Sequence, residues 1–298
     1  MKHLLKLEGM PRRAMEEILA SAEAVKAKRG GGETKPLDGQ TWAMVFTKSS
    51  TRTRVSFEVG IRELGGAVMF LNANDMQLGR GEPIKDTARV LGRMVHGAVI
   101  RTFAQADVEE FAEYSGIPTI NALTDDEHPC QILTDIFTFQ ERRGPIRGKV
   151  VTYVGDGGCN VPVSWVHAAA ALDFELRIAA PSEFQPSAET LAKAGGNISC
   201  TQDIRAAVKG ADMVYTDVWV SMGMEAEAEE RLAKLAGYQI NGGLMCLAKP
   251  DALVMHCLPA YRGKEIDAET FEAHADTIFT QAENRLHTQK AILAWLAG

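Results

Sequence analysis

The chain has 298 residues, 46% of them apolar and 24% charged, with a formal net charge of −7. This length exceeds one ordinary hydrophobic core and suits two domains, and the composition excludes disordered and fibrous classes. The acidic balance argues against non-specific nucleic-acid binding, which needs positive surface against phosphates, but it leaves room for a small anion held by local arginines.

In chain order, the start, Met1-Lys2-His3-Leu4-Leu5-Lys6, has no long apolar run, so no signal peptide is expected. Nowhere is there a run of about 20 apolar residues, so no membrane span is expected. A first helix ends in the glycine- and charge-rich loop 26–39 (KAKRGGGETKPLDG). Short β-rich apolar runs then alternate with helical patterns. Strands are predicted over 42–46, 67–71, 98–103, about 118–121, 150–154, 175–179, 213–216, 253–257 and 277–280. Helices are predicted over 54–64, 84–94, 108–114, 131–140, 164–172, 226–235 and 282–297. The alternation implies an α/β protein of two doubly wound domains, each a mostly parallel sheet flanked by helices and joined by interdomain helices. The break 142–148 (RRGPIRG) sets the expected boundary: residues 1–142 with the last helix, 282–298, packing back on them, and residues 143–281. Cys130, Cys159, Cys200, Cys246 and Cys257 include no C-x-x-C pair. They read as reduced thiols of a cytosolic protein, and no metal site or cofactor is expected.

Several strand ends carry chemistry. After Phe46 comes Thr47-Lys48-Ser49-Ser50-Thr51-Arg52-Thr53-Arg54, and then an amphipathic helix with Phe57, Ile61 and Leu64 on one face. A helix start offers unpaired N–H groups and a positive dipole end, and hydroxyls and guanidinium groups add donors for phosphate oxygens. An N-cap with exposed arginines is the competing reading. His128-Pro129-Cys130-Gln131 places a carbonyl donor and an amide at another helix start; a locally satisfied histidine is the plainer reading there. Gly155-Asp156-Gly157-Gly158-Cys159-Asn160 is a glycine-rich strand-to-helix turn without G-x-G-x-x-G spacing, so a dinucleotide is not indicated.

Taken together, these stretches resemble the aspartate/ornithine carbamoyltransferase family, in the family's order, from Phe46 to the last helix. In Ser50-Thr51-Arg52-Thr53-Arg54 the resemblance implies that Ser50, Thr51, Arg52 and Thr53 grip the phosphate of carbamoyl phosphate, with Arg52 also reaching the carbamoyl side. It implies that His128 and Gln131 recognise the carbamoyl group and that Arg101 and Arg285, the latter in Ala282-Glu283-Asn284-Arg285-Leu286-His287, are further ligands. Gln77 matches a loop that approaches an active site, that of a neighbouring subunit included. In the second half, Asp217-Val218-Trp219-Val220-Ser221-Met222-Gly223 resembles the amino-acid-binding loop of the ornithine members, implying Asp217, Ser221 and Met222 as acceptor ligands. His256-Cys257-Leu258-Pro259 resembles another stretch of those members, implying that Cys257 meets the side-chain amine and Leu258 the carbamoyl oxygen. Asn160 matches the ligand of the amino-acid carboxylate. Cys159 stands where the family has another Asn, Pro162 and Val163 depart just beyond, and Tyr261 stands where many members carry His.

The resemblance implies transfer of a carbamoyl group to the side-chain amine of L-ornithine, giving citrulline and phosphate, with Arg52, Arg101, His128, Asp217 and Cys257 as the catalytic set. It implies a homotrimer or a multiple of trimers; a cytoplasmic place in arginine biosynthesis is expected, with no nucleic-acid partner given the acidic charge and no membrane partner given the lack of a long apolar run. A related amine acceptor, such as putrescine or an acylated ornithine, is the nearest alternative. A non-catalytic anion-binding protein on the same scaffold is a more distant one.

Overall fold

The computed structural model describes residues 1–32, 34–72, 76, 81–221 and 223–298. The chain folds into two compact units. The first holds Met1–Phe137 with Glu283–Gly298, and the second Thr138–Ala282. The division falls inside helices α5 (Pro129–Arg143) and α12 (Ala275–Ala297), whereas the sequence reading sets it at residue 142, where α5 runs out.

The first unit has four parallel strands, β1 (Thr41–Phe46), β2 (Ala67–Asn72), β3 (Gly97–Arg101) and β4 (Thr119–Leu123), in the order β2-β1-β3-β4. Between them run α2 (Thr51–Glu63), α3 (Ile84–Leu91) and α4 (Gln105–Ser115), and α1 (Arg12–Ala27) precedes them all. The central strand β1 is buried from Trp42 to Phe46, as a strand covered on both faces must be, which is why its sequence is an unbroken apolar run. The edge strand β2 carries partly exposed residues throughout. Helix α2 follows its apolar spacing: Phe57, Ile61 and Leu64 are all buried.

The second unit has five parallel strands, β5 (Val150–Val154), β6 (Glu175–Ala179), β7 (Ile198–Thr201), β8 (Met213–Thr216) and β9 (Leu253–His256), in the order β7-β6-β5-β8-β9. Helices α6 (Asn160–Leu172), α7 (Ala188–Ala194), α8 (Ile204–Val208), α9 (Ala228–Leu235) and α10 (Gly242–Met245) connect them, and α11 (Ala268–Ala273) follows β9. The expected class, two parallel sheets flanked by helices, is therefore what the chain forms.

Two local expectations fail. Residues 277–280, read as a strand from their β-branched run, lie inside α12. Ile278 and Gln281 there are fully buried while Phe279 is 56% exposed, a helical pattern, so burial on a helix face overrides local β preference. The strand β7 was not predicted, because it is a short edge strand with only partly buried residues and no apolar run.

In each sheet the strand order reverses at one place, between β1 and β3 in the first and between β5 and β8 in the second. Open parallel sheets bind ligands outside the carboxyl ends of the strands at such a point. Ser50, Thr51, Arg52 and Thr53 follow β1, Arg101 ends β3, and His128 and Gln131 follow β4, while Arg285 comes from α12; the candidates of the second unit follow β5, β8 and β9.

Candidate functional site

In the first unit Ser50 caps α2 in extended conformation, its side chain accepting from the Thr53 N–H at 3.3 Å. The Ser50 hydroxyl also donates to Thr53 Oγ1 at 2.9 Å, and Arg285 Nη2 donates to the same oxygen at 2.8 Å. Thr53 Oγ1 thus accepts twice, leaving its own proton for a further acceptor. Thr51 is exposed and Arg52 half-buried on the first turn, at the positive end of the helix dipole. The register Phe46↔Arg101 sets Arg101 beside the end of β1, and Thr47 N–H donates to the Arg101 carbonyl at 2.8 Å.

Arg101, His128 and Arg285 are all buried. Burial, with the charges of Arg285 and Arg101 adding to it, holds the His128 imidazole well below the usual histidine range. The ring is therefore neutral at physiological pH and carries one N–H donor. Gln131, fully buried, donates from Nε2 to Asp135 Oδ1 at 2.8 Å. Cys130 sits among these groups, but burial pushes its thiol up to about 12, so it is no nucleophile.

In the second unit the register Thr216↔His256 makes Asp217 and Cys257 neighbours as the strands end. Cys257 Sγ donates to Asp217 Oδ1 at 2.8 Å, and the Val218 N–H donates to the same oxygen at 2.7 Å. Burial pushes the Asp217 carboxyl up, against the lowering effect of these two hydrogen bonds. The Leu258 N–H donates to His256 Nδ1 at 2.8 Å, which leaves the ring proton on Nε2, 3.2 Å from the fully buried Glu265. Glu265 also accepts from the Tyr261 N–H at 2.5 Å, tying the departure at Tyr261 to the same carboxyl. Leu258 has φ of 59°, a left-handed backbone that costs a branched residue and is held by this network.

The turn between β5 and α6 is glycine-rich for steric reasons. A Cβ on Gly157 would lie 2.6 Å from Ile178 Cγ2 and 3.0 Å from the Phe184 carbonyl oxygen. Cys159 takes the N-cap of α6 without a side-chain cap bond, its Sγ instead donating to the Asp156 carbonyl at 3.3 Å. Asn160 is the first residue of α6 and half-buried, and Ser221 is half-buried beyond β8. Gln77 and Met222 lie outside the described residues.

The structure thus joins Ser50, Thr53 and Arg285 directly, brings His128 under the charges of Arg101 and Arg285, and joins Asp217 to Cys257. It also supplies residues that the sequence reading passed over. Buried Arg231 of α9 forms an ion pair with buried Asp156 and donates from Nε to the Trp219 carbonyl at 2.9 Å, fastening the loop after β8 to the turn after β5. Buried Lys48 pairs with Asp125, fastening the turn after β1 to the loop before His128. No motif spacing marks such pairs, because each joins loops distant in sequence. The same holds for Asp217, His256 and Cys257, whose donor atoms lie within 4.8 Å of one another, a grouping of metal-ligand types that sequence spacing did not show.

A family model described as aspartate/ornithine carbamoyltransferase, carbamoyl-P binding domain, matches residues 2–141, and one described as the Asp/Orn binding domain matches residues 147–296. The chain is 54% identical over 300 residues to an ornithine carbamoyltransferase of Akkermansia muciniphila, covering 100% of this chain and 98% of that one. Among solved structures it is similar to the ornithine carbamoyltransferase of Pyrococcus furiosus, with a TM-score of 0.93, 44% identity and coverage of 100% and 97%. It is likewise similar to the anabolic enzyme of Campylobacter jejuni, with a TM-score of 0.94, 43% identity and coverage of 99% of each chain. With both halves matched and identity this high along its whole length, the chain belongs to the aspartate/ornithine carbamoyltransferase family.

Proposed function

We propose that the chain transfers the carbamoyl group of carbamoyl phosphate to the side-chain amine of L-ornithine, releasing L-citrulline and phosphate. The observation that carries the acceptor is the Asp217–Cys257 pair at the ends of β8 and β9. A buried carboxyl backed by a thiol suits an ammonium and its deprotonation product, the amine. The relatives named as ornithine carbamoyltransferases support the same acceptor.

In this reading Ser50, Thr51, Arg52, Thr53 and Arg285 hold the phosphate together with the start of α2. Arg52, Arg101 and neutral His128 donate to the carbamoyl oxygen, with the Leu258 region completing that contact and Gln77 joining from its loop. Gln131 takes the carbamoyl nitrogen. Asn160 holds the ornithine carboxylate, while Asp217, Ser221 and Met222 hold the amino-acid end. The neutral amine attacks the carbamoyl carbon, a tetrahedral intermediate forms, and the C–O bond to phosphate breaks. The proton from the amine leaves toward phosphate or solvent. No covalent enzyme intermediate is needed.

The exposed apolar side chains Val55, Met69, Val90 and Met94 of the first unit support assembly, for which a homotrimer or a multiple of it is proposed. Five free cysteines fit a reducing cytoplasm and an arginine-forming role there. Among the described residues no helix is long and apolar enough to cross a membrane.

Cys159, in place of the family's Asn beside the carboxylate ligand, favours one other reading, an amine acceptor without a free carboxylate. A panel of L-ornithine, putrescine, N-acetylornithine and L-aspartate, each with carbamoyl phosphate, separates the two. We expect kcat/KM for ornithine to exceed that for the others at least about 100-fold, as loss of one charge-assisted contact implies. Preference for putrescine would replace ornithine as the acceptor.

A further inference from the structure

We propose that Asp135 is a positioning residue that locks the Gln131 amide with its carbonyl oxygen toward the substrate, and thereby makes the site select a carbamoyl over an acetyl group. The inference rests on the reading that Gln131 meets the carbamoyl nitrogen, and it adds how the protein fixes which end of the amide is offered.

Gln131 and Asp135 lie one turn apart on α5, both fully buried, with Gln131 Nε2 donating to Asp135 Oδ1 at 2.8 Å. A glutamine amide has two ends of similar shape and opposite hydrogen-bonding sense. A carboxylate only accepts, so only the NH2 end can face Asp135; turning the amide over would set oxygen against oxygen. The consequence is at the other end. Gln131 Oε1 is buried and has no hydrogen-bond partner among the described residues. An acceptor in that state is costly to bury and is expected to have a use. It calls for a ligand with an N–H donor. Carbamoyl phosphate offers an NH2 group where acetyl phosphate has a methyl. The pair also sits on the first turns of the helix that follows buried His128. The donor for the carbonyl oxygen and the acceptor for the nitrogen therefore come from one helix start. Rejection of an analogue that lacks the N–H follows from leaving a buried acceptor without its partner, which discriminates far better than a size difference does.

The test measures citrulline formation with saturating ornithine, taking KM for carbamoyl phosphate and the inhibition constant of acetyl phosphate for wild type, D135N, Q131L and Q131L/D135N, with thermal melts as a folding control. Asn at 135 can donate as well as accept, so it frees the Gln131 amide to turn over. D135N is expected to narrow the preference for carbamoyl over acetyl phosphate about tenfold, mainly through KM for carbamoyl phosphate. In the Q131L background, where no amide remains to orient, D135N should change that preference less than about twofold. An equal change in both backgrounds, or none in the first, overturns the role of Asp135. D135S provides a smaller replacement with the same expected narrowing should D135N fail to fold. Absence of citrulline with the wild type would instead remove the carbamoyl reading of Gln131, and the inference with it.

Discussion

At the residue scale, two groups carry more than their motif positions reveal. Thr53 is legible as part of Ser50-Thr51-Arg52-Thr53, but its double acceptance from Ser50 and Arg285 is a tertiary fact. If its remaining proton serves the phosphate, Thr53→Val, which keeps the shape, should raise KM for carbamoyl phosphate about tenfold and leave KM for ornithine unchanged in initial-rate kinetics. Arg231 carries no motif signal at all. Arg231→Met strands the buried Asp156 carboxylate, so chemical denaturation should show a loss of about 3–5 kcal/mol. Because Arg231 also fastens the Trp219 carbonyl, KM for ornithine should rise in this variant well beyond KM for carbamoyl phosphate. Equal rises in both would show that the pair serves stability alone.

At the scale of elements, the apolar central strands and the capped helix α2 were legible because burial on two faces and a 3.6-residue period leave direct marks. The edge strand β7 and the start of α12 were not, since neither mark is present there: β7 is only partly buried, and residues 277–280 combine β-branched chemistry with helical burial. The loop before α5 shows a tie of the same unreadable kind. The Glu127 carboxyl accepts the Leu7 N–H at 2.6 Å and the Glu8 N–H at 3.1 Å, holding the amino-terminal segment to the loop that presents His128. Burial pushes Glu127 up from 4.5 to about 7, with the two N–H donors opposing. A carboxyl whose folded value is raised favours the folded state while protonated. Its contribution is complete below pH 4.5 and is lost as the pH rises through about 7. The lost contribution amounts to about 3 kcal/mol. Urea unfolding at pH 5 to 8 should therefore show a decline in the wild type that Glu127→Gln flattens; parallel pH slopes in the two proteins would refute this.

At the scale of the whole molecule, motif order made the chemistry legible, whereas the reason the motifs of each unit gather at one end of its sheet lies in that unit's topology. Within each sheet the strand order reverses once, and most of the candidate residues lie at or beyond the ends of the strands on either side of that reversal and the strand next to them, with Arg285 added from α12. Gln77 and Met222, each named from its motif, fall outside the described residues. The acceptor amine has a reference value near that of lysine, about 10.4. With His128 held neutral from below, the rate should rise with pH between 6 and 9 as free amine accumulates, and a flat profile would place amine deprotonation outside the rate-determining sequence. The most direct measurement follows the carbamoyl carbon itself. Purified protein is mixed with 13C-carbamoyl phosphate and L-ornithine, and the label is tracked by NMR while phosphate is counted. The account predicts that the label moves to the ureido carbon of citrulline, one phosphate for each, and only when ornithine is present. Label that appears solely as bicarbonate, at a rate indifferent to ornithine, would contradict it.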